Sequence, residues 1–262
     1  MLGTVGRVGM VLELFTQESP EWGVSEVAKA LGIPRTTAHE LLSSLAQIGL
    51  LHRMSTGRYK LGFRLLSLAQ TLLANTPWRD VAHREMVRLH ACTGAVVQLA
   101  AYDGGALICL EQNPAPMGFP LAAGWGVHCS ALGKVMLAGK PDKALEGLLE
   151  LPLQARTPCT ITAPEELRSE ILRVRTQGYA YEIEEQEKGF CAVAAPIRNH
   201  NAEVIAALGL RVATEDFHRR KWVLRDAVMH SAQDVSLAIG YDPSHPFPRW
   251  HLVQGQERLV RS

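Results

Sequence analysis

One predicted helix combines an apolar stripe with an opposite face of short polar side chains and a single base near its start. The apolar positions that recur at helical spacing are Ala38, Leu41, Leu42 and Leu45. A polar face of this kind can lie in the major groove of DNA, where its first residues reach base edges and phosphates. The candidate contacts are Arg35, Thr36, Thr37, His39, Glu40 and Ser43. The alternative is an ordinary helical hairpin whose polar face is only solvated.

The segments around this helix predict a small three-helix unit with a basic hairpin. Residues 24–31 predict a preceding short helix, and Gly32 suits the left-handed conformation that often follows a helix end. Residues 4–15 supply the third helix that a helix-turn-helix needs. A turn at 55–57 then joins two short strands with basic residues, as in a wing beside a recognition helix. The candidate phosphate or minor-groove contacts of this hairpin are Arg58 and Lys60.

The composition is that of a globular protein without a strong overall charge. The 262 residues are 47% hydrophobic and 20% charged, which favours two domains with buried cores. The formal net charge is only +1, so attraction to nucleic acid must come from a local basic patch such as the hairpin. No signal peptide and no apolar run of membrane-spanning length is visible. We therefore expect a cytoplasmic protein with no membrane partner.

Five scattered cysteines raise two further hypotheses. Their odd number and the lack of CxxC or clustered Cys/His spacing predict reduced thiols, with no disulfide framework, metal site or cofactor. A cysteine-dependent enzyme would need Cys129 or Cys191 as its nucleophile and His128 as the base. His128 and Cys129 are adjacent, so in a strand their side chains would point to opposite faces, and no third residue that could orient the base is evident. We therefore expect that the protein is not an enzyme. A cysteine-based redox-sensing regulator is the other alternative.

The second half of the chain predicts an antiparallel sheet with helices. Strands are expected at 94–102, 106–111, 179–184, 191–197 and 204–212, and helices at 77–92, 131–138, 145–149, 164–176 and 219–239. Alternation in the last strand puts Ala207, Gly209 and Arg211 on one face. We expect long helices on one face of the sheet and loops on the other, with a ligand cavity between sheet and loops.

Several stretches of the sequence resemble the IclR (isocitrate lyase regulator) family of bacterial transcription factors. They are GIPRTTAHELLSSLAQIGLLHR with GRYKLGFRLLSLA, VHCSALGKVMLA, RTPCTITAPEELRSEILRVRTQGYA, and EEQEKGF followed by AVAAPI. The resemblance implies an α+β fold: an N-terminal winged helix-turn-helix, a linker helix, and a C-terminal GAF/PAS-like effector-binding domain with an antiparallel sheet. It also implies a transcriptional regulator, more often a repressor than an activator. Such a protein binds double-stranded operator DNA as a homodimer or homotetramer and responds to a small-molecule effector.

The break at Asn75-Thr76-Pro77 and the resemblance together predict the domain boundaries. Residues 1–61 are expected to form the DNA-binding domain and 62–76 the linker helix. Residues 77–242 are expected to form the effector-binding domain, and 243–262 an extended or disordered tail.

The resemblance also places an effector pocket beneath the loop around residues 122–130 and beside the later strands. The positions carried over are Ala122, Gly124, Ser130, Glu182, Cys191, Ala192, Gly209 and Arg211. Glu182 stands where an aspartate is usual, and Ala192 where a cysteine is usual, with Cys191 one place earlier. Gly209 and Arg211 occupy positions where small hydroxyl residues are common, so we expect a larger ligand than a small oxo-acid, aromatic or carboxylated.

Arg211 is the residue of this set with the clearest chemistry. Its guanidinium could hold a ligand carboxylate through two parallel hydrogen bonds. The alternative is a salt bridge to a neighbouring acid, Glu182 or Glu184.

Overall fold

The computed structural model describes residues 3–16, 18–74, 76, 78–114 and 126–244. Ala122, Gly124 and the predicted tail beyond residue 244 lie outside the described residues. The chain separates into two compact units, Met1–Pro77 and Trp78–Ser262. The elements of the first unit are α1 (Thr4–Glu13), α2 (Val24–Leu31), α3 (Arg35–Gln47), β1 (Leu51–Arg53), β2 (Tyr59–Leu61) and α4 (Arg64–Ala74).

Helices α1, α2 and α3 surround one small apolar core. Its buried members are Val11, Val27, Ala38, Leu41, Leu42, Leu45, Leu51 and Tyr59. The stripe predicted for α3 is therefore its buried face. Gly32 has a φ of 63°, the left-handed conformation predicted for it, which lets α3 turn away from α2. At the start of α2, the Gly23 amide donates to the Glu26 carboxylate at 2.8 Å and caps the helix.

The predicted hairpin is present as the antiparallel pair of β1 and β2, in which His52 lies opposite Lys60. Trp22 extends this pair, because its amide and carbonyl exchange hydrogen bonds with Tyr59 at 2.9 and 2.8 Å. Tyr59 is only 1% exposed and anchors the hairpin in the core. The buried tyrosine thus fixes where the hairpin lies relative to α3.

Helix α4 follows the hairpin and leaves apolar side chains in solvent. Leu66, Leu68 and Leu72 are 57%, 51% and 68% exposed. The helix begins at Arg64 rather than at the predicted residue 62, because Gly62 belongs to the hairpin packing. The Gly62 amide donates to the Leu50 carbonyl at 2.8 Å.

The second unit is a five-stranded antiparallel sheet with helices. Its elements are α5 (Trp78–Thr93), β3 (Val96–Asp103), β4 (Ala106–Asn113), α6 (Ala131–Ala138), α7 (Asp142–Leu149), α8 (Pro164–Gln177), β5 (Ala180–Ile183), β6 (Phe190–Arg198), β7 (Val204–Ala213) and α9 (Thr214–Ala238). The strand order is β4-β3-β7-β6-β5. Every neighbouring pair is antiparallel.

The two faces of the sheet carry separate apolar cores, as the alternation in β7 predicts. Leu208 and Leu210 lie in the core shared with α5 and α9. Ala207 lies in the core on the other face. The expectation that loops alone cover this second face is wrong, since α6 and α8 pack there. Helix α6 is apolar except for Lys134, and its residues from Ala131 to Leu137 are all buried.

Helix α9 begins at Thr214, five residues before the predicted start. Glu215 and Asp216 in its first turn favour the helix N-terminus. The backbone departs from helical geometry at Arg220, whose guanidinium bonds both Asp216 and the Thr93 carbonyl, the latter at 2.7 Å. The predicted start at residue 219 thus lies beside this kink, whereas the helix itself begins directly after β7.

Candidate functional site

The polar face of α3 lies open to solvent. Arg35, Thr36, His39 and Glu40 are exposed, and Thr37 is half-buried. The four exposed residues border a surface depression of about 380 Å³. Together they offer a guanidinium, a hydroxyl, an imidazole and a carboxylate, which are groups that can read donors and acceptors on base edges.

Ser43 and the hairpin continue this surface. The Ser43 hydroxyl is half-buried and lies 3.4 Å from the Tyr59 hydroxyl, so it faces the hairpin. Lys60 and its cross-strand neighbour His52 are exposed on the hairpin. Both side chains lie on the strand pair that packs beside α3, and the predicted contact of Lys60 with DNA phosphate stays a prediction.

Arg58 has a different environment from Lys60. Its guanidinium donates to both carboxylate oxygens of Glu26, at 3.0 and 2.8 Å, and to the Glu21 carbonyl at 2.8 Å. The Gly23 amide and the Arg58 guanidinium together hold the pKa of the Glu26 carboxyl below its usual value. Arg58 therefore links the hairpin to the start of α2. Its predicted contact with DNA phosphate stays a prediction.

The second unit contains a cavity of about 160 Å³ between α6, the sheet and the loop after β5. It brings together five of the predicted effector residues: Ser130, Glu182, Ala192, Gly209 and Arg211. Five further residues complete the lining: Gln98, Ala131, Leu132, Gln186 and Glu187. Gln98 could have been recognised as a lining residue, because it is the one polar side chain in the apolar run 96–101. Gln186 and Glu187 lie in the charged run 184–188.

Strand register explains which side chains share the cavity. Ala192 lies opposite both Glu182 in β5 and Arg211 in β7, while Gly209 lies opposite Gln98 in β3. Cys191 is one residue away in β6, so its side chain belongs to the core on the other face.

Gly209 accommodates a neighbouring side chain. A Cβ at this position would lie 2.9 Å from the Leu132 side chain, so α6 packs closely on the strand here. The space next to Gly209 is thus occupied by Leu132.

The charged groups of the cavity differ from the pairs expected. Arg211 forms its ion pair with Glu187, and its guanidinium carbon lies 4.2 Å from the centre of the Phe190 ring. Glu182 is 4% exposed and accepts a hydrogen bond from the Gln186 amide at 3.1 Å. Burial raises the pKa of the Glu182 carboxyl to about 7 despite that hydrogen bond and the nearby Arg211 charge. The cavity is therefore lined by the Arg211–Glu187 ion pair and by a second carboxyl, Glu182, whose pKa lies near neutral pH.

The start of α6 is fixed by a compact set of hydrogen bonds beside the cavity. Ser130 caps the helix by accepting from the Gly133 amide at 3.1 Å, and its hydroxyl donates to the Gly126 carbonyl at 2.8 Å. The Gly126 amide donates to the Gln186 side chain at 3.0 Å. The loop after β5 and the start of α6 are thus joined through Gln186.

His128 and Cys129, one nucleophile–base pair that a cysteine-dependent enzyme could use, contact different partners. His128 bonds the Gln154 carbonyl, whereas the Cys129 thiol faces Gln186 at 3.2 Å. Burial raises the pKa of both the Cys109 and Cys129 thiols to about 11, so the nucleophilic thiolate is disfavoured.

Two absences apply to the described ranges alone. Over residues 3–16, 18–74, 76, 78–114 and 126–244, no three His, Cys, Asp or Glu side chains cluster in a way that could hold a metal ion. Within the same ranges no helix is long and apolar enough to cross a lipid bilayer.

Comparison with known proteins places both units in one family. The chain matches the IclR helix-turn-helix domain over residues 4–54 and the bacterial transcriptional regulator IclR C-terminal domain over residues 70–237. The HTH-type transcriptional regulator XynR of Escherichia coli is 29% identical over 92% of this chain and 98% of its own length. The HTH-type transcriptional regulator KipR of Bacillus subtilis is 30% identical over 91% of this chain and 97% of its own length.

Solved structures agree with this assignment. An IclR homolog from Microbacterium hydrocarbonoxydans, crystallised in complex with 4-hydroxybenzoate, is 26% identical with a TM-score of 0.74, covering 90% of this chain and 99% of its own. An IclR regulator from Silicibacter sp. TM1040 is 27% identical with a TM-score of 0.83, covering 92% and 97%. The chain therefore belongs to the IclR family and is a DNA-binding transcriptional regulator with an effector-binding C-terminal domain, not an enzyme.

Proposed function

We propose that this regulator is an operator-binding repressor whose affinity for DNA changes when a small carboxylate occupies the cavity of the second unit. The observation that carries the proposal is α3, which buries its apolar stripe and leaves Arg35, Thr36 and His39 exposed. In this assignment residues 1–61 bind DNA, 62–76 form the linker, and 77–242 bind the effector.

A second copy of the chain completes the proposed DNA-binding form. The exposed leucines of α4 are the apolar surface that such a dimer would cover: Leu66, Leu68 and Leu72. In a two-fold dimer the two α3 helices enter major grooves about 34 Å apart, or a multiple of that distance. A near-palindromic operator would match this symmetry. Pairing of two dimers into a tetramer is the larger assembly we expect.

The size and charges of the cavity favour a carboxylate with one ring as the effector. A cavity of about 150 Å³ is enough to hold benzene, and the present one measures about 160 Å³. Arg211 supplies the cation for a carboxylate, and Glu182 and Gln98 supply hydrogen-bonding groups in the same space. The 4-hydroxybenzoate bound to the Microbacterium relative supports this ligand class.

The DNA-binding role is tested with operator duplexes selected from a random pool by the full chain. Arg35→Ala should weaken binding to the selected duplex by roughly 1–3 kcal/mol, the usual value of a specific base contact, and should weaken binding to random DNA much less. Fluorescence anisotropy on both duplexes measures this difference. Arg84→Ala, which removes an exposed arginine from α5, is the matched control.

The outcomes separate the possible roles of Arg35. Equal weakening on both duplexes would make Arg35 a phosphate contact without sequence information. No weakening on either duplex would remove the start of α3 from the interface and contradict the assignment.

The proposed dimer surface is tested by light scattering. Leu68→Glu places a charge on the exposed face of α4 and should shift the protein towards the monomer. Leu172→Glu, at a 51% exposed leucine of α8, is the matched control and should leave the mass unchanged. A Leu68→Glu protein with the wild-type mass would place the dimer surface elsewhere.

A further inference from the structure

Three side chains of the loop between β5 and β6, residues 184–189, contact residues at or near the cavity. Glu185 pairs with the buried Lys134 at 2.5 Å. Gln186 accepts a hydrogen bond from the Gly126 amide at 3.0 Å. Glu187 pairs with Arg211 beside the cavity. The first two contacts fix the loop, whereas the third lies at the site where we propose that the effector binds.

Arg211 is held in place by a contact that does not depend on Glu187. Its guanidinium carbon lies 4.2 Å from the centre of the Phe190 ring, so the ring supports the guanidinium from one side. This contact with the ring does not involve the Glu187 carboxylate, so displacement of that carboxylate would not remove it. The guanidinium is therefore prepared to accept another carboxylate with the same geometry.

Glu187 differs from the other two carboxyl groups nearby. Glu182 is 4% exposed, and its carboxylate accepts a hydrogen bond from the backbone amide of Gln186. Glu185 is 6% exposed, and its carboxylate accepts a hydrogen bond from Lys134. The Glu187 side chain is 59% exposed, so it can rotate into solvent without leaving a buried charge behind. An ion pair this exposed contributes little stability, because water screens it.

We propose that Glu187 is an internal substitute for the effector's carboxylate: an incoming carboxylate replaces it on Arg211, and this exchange sets the affinity of the site for anionic ligands. The inference rests on the proposed effector role of the cavity. No covalent bond changes in the exchange. The Glu187 carboxylate leaves the guanidinium for solvent, and the ligand carboxylate takes its place on Arg211.

The exchange makes a specific prediction about ligand charge. A ligand carboxylate competes with the Glu187 carboxylate for the Arg211 guanidinium. A neutral carboxamide of the same shape carries no charge and does not displace Glu187. Glu187→Gln removes the competing charge while keeping the side-chain length. It should therefore strengthen the binding of carboxylates and leave the binding of their amides unchanged.

The experiment is isothermal titration calorimetry on the full chain, with benzoate and 4-hydroxybenzoate and their carboxamides as probes. We expect Glu187→Gln to bind the carboxylates about two- to fivefold more tightly than the wild type, the range that corresponds to an exposed ion pair. Arg211→Gln should lose carboxylate binding. Glu215→Gln, which removes an 88% exposed carboxylate from α9, controls for the change in net charge.

Each outcome decides the proposal. Unchanged or weaker carboxylate binding by Glu187→Gln would overturn it, as would an equal gain for the amides or in the Glu215→Gln control. Failure of both carboxylates to bind Glu187→Gln, in which Arg211 has lost its internal partner, would also overturn it. Operator binding by the same proteins is measured separately. A calorimetric result that overturns the exchange therefore leaves the DNA-binding role untouched, and a failure to bind the operator does not prevent the measurement of ligand binding.

Discussion

Replacing Lys134 with methionine tests how firmly the loop after β5 is held against α6. The Lys134 side chain is 1% exposed, and its ammonium lies 2.5 Å from Glu185 and 3.7 Å from Glu170. It also donates to the Tyr181 carbonyl at 3.2 Å. Counted over side-chain atoms alone, Glu170 and Glu185 are each only 8% exposed. Methionine keeps the buried aliphatic stem but leaves both carboxylates without their shared cation.

The expected loss of stability is large because one partner of a buried pair is removed. Breaking such a pair typically costs about 3–5 kcal/mol, since the remaining charge stays buried. Urea denaturation of the full chain at pH 8 measures the free energy of unfolding of the second unit. Lys143→Met, at an exposed lysine of α7, is the matched control and should change that free energy by less than about 0.5 kcal/mol.

The pH dependence of the variant gives an internal check. Burial already raises the pKa of the Glu185 carboxyl, with Lys134 acting in the opposite direction. Without the lysine this pKa rises further, so Glu185 takes up a proton at acid pH and the loss should be smaller at pH 5 than at pH 8. The double variant Lys134→Met/Glu185→Gln should recover part of the loss. A loss at pH 8 no larger than that of the control, or no recovery in the double variant, would refute this reasoning.

Three other perturbations have defined outcomes. The raised pKa of Glu182 means that its contribution to stability is present below its ordinary value of 4.5 and is lost as pH rises to about 7. In the wild type, the free energy of unfolding should therefore fall by an amount on the order of 3 kcal/mol between pH 4.5 and 7 because of Glu182. Glu182→Gln should remove this fall, as measured by urea unfolding. Gly133→Ala places a Cβ 2.1 Å from the Val127 carbonyl oxygen and should lower the unfolding free energy by about 1–3 kcal/mol, measured by thermal unfolding. Lys60→Ala should reduce the slope of log affinity for DNA against log salt by about 1 without changing thermal stability.

The contradicting results are equally specific. A wild-type pH profile retained by Glu182→Gln would assign the titration to another group. A Gly133→Ala protein with wild-type stability would mean that the start of α6 can shift without penalty. An unchanged salt slope for Lys60→Ala would remove the hairpin strand β2 from the phosphate contacts.

The parts of the fold that depend on local periodicity could be predicted from the sequence. The apolar stripe of α3 repeats over about two turns, so its buried and polar faces follow from spacing alone. The alternation in β7 likewise separates Leu208 and Leu210 from Gly209 and Arg211. Burial of each face follows from its apolar content, and no knowledge of distant partners is required.

The ion pairs could not be predicted in this way, because they join segments far apart in the chain. Arg58 bonds Glu26, 32 residues away, and Arg211 bonds Glu187, 24 residues away. For Arg211, the sequence indicated Glu182 or Glu184 as the partner of a salt bridge, whereas the partner in the structure is Glu187. Strand register and the path of the loop determine the choice, and neither has a local signature.

The covering of the sheet was also beyond local reasoning. Helix α6 is short and could have lain at the rim, yet its seven buried residues require a partner on every side. It packs on Gly209, where the missing side chain lets Leu132 approach the strand. The glycine was recognisable as a source of space, but the side chain that fills the space comes from another element.

The most direct test of the regulatory account is an anisotropy titration of the selected operator with the full chain, in the absence and presence of a saturating carboxylate. The carboxylate is chosen from a panel of one-ring carboxylates, 4-hydroxybenzoate included, as the one that most raises the thermal stability of the wild type. We expect this ligand to change the affinity of the wild type for the operator by at least about fivefold and to have no effect on Arg211→Gln. An unchanged affinity in the wild type, or the same change in Arg211→Gln, would contradict it.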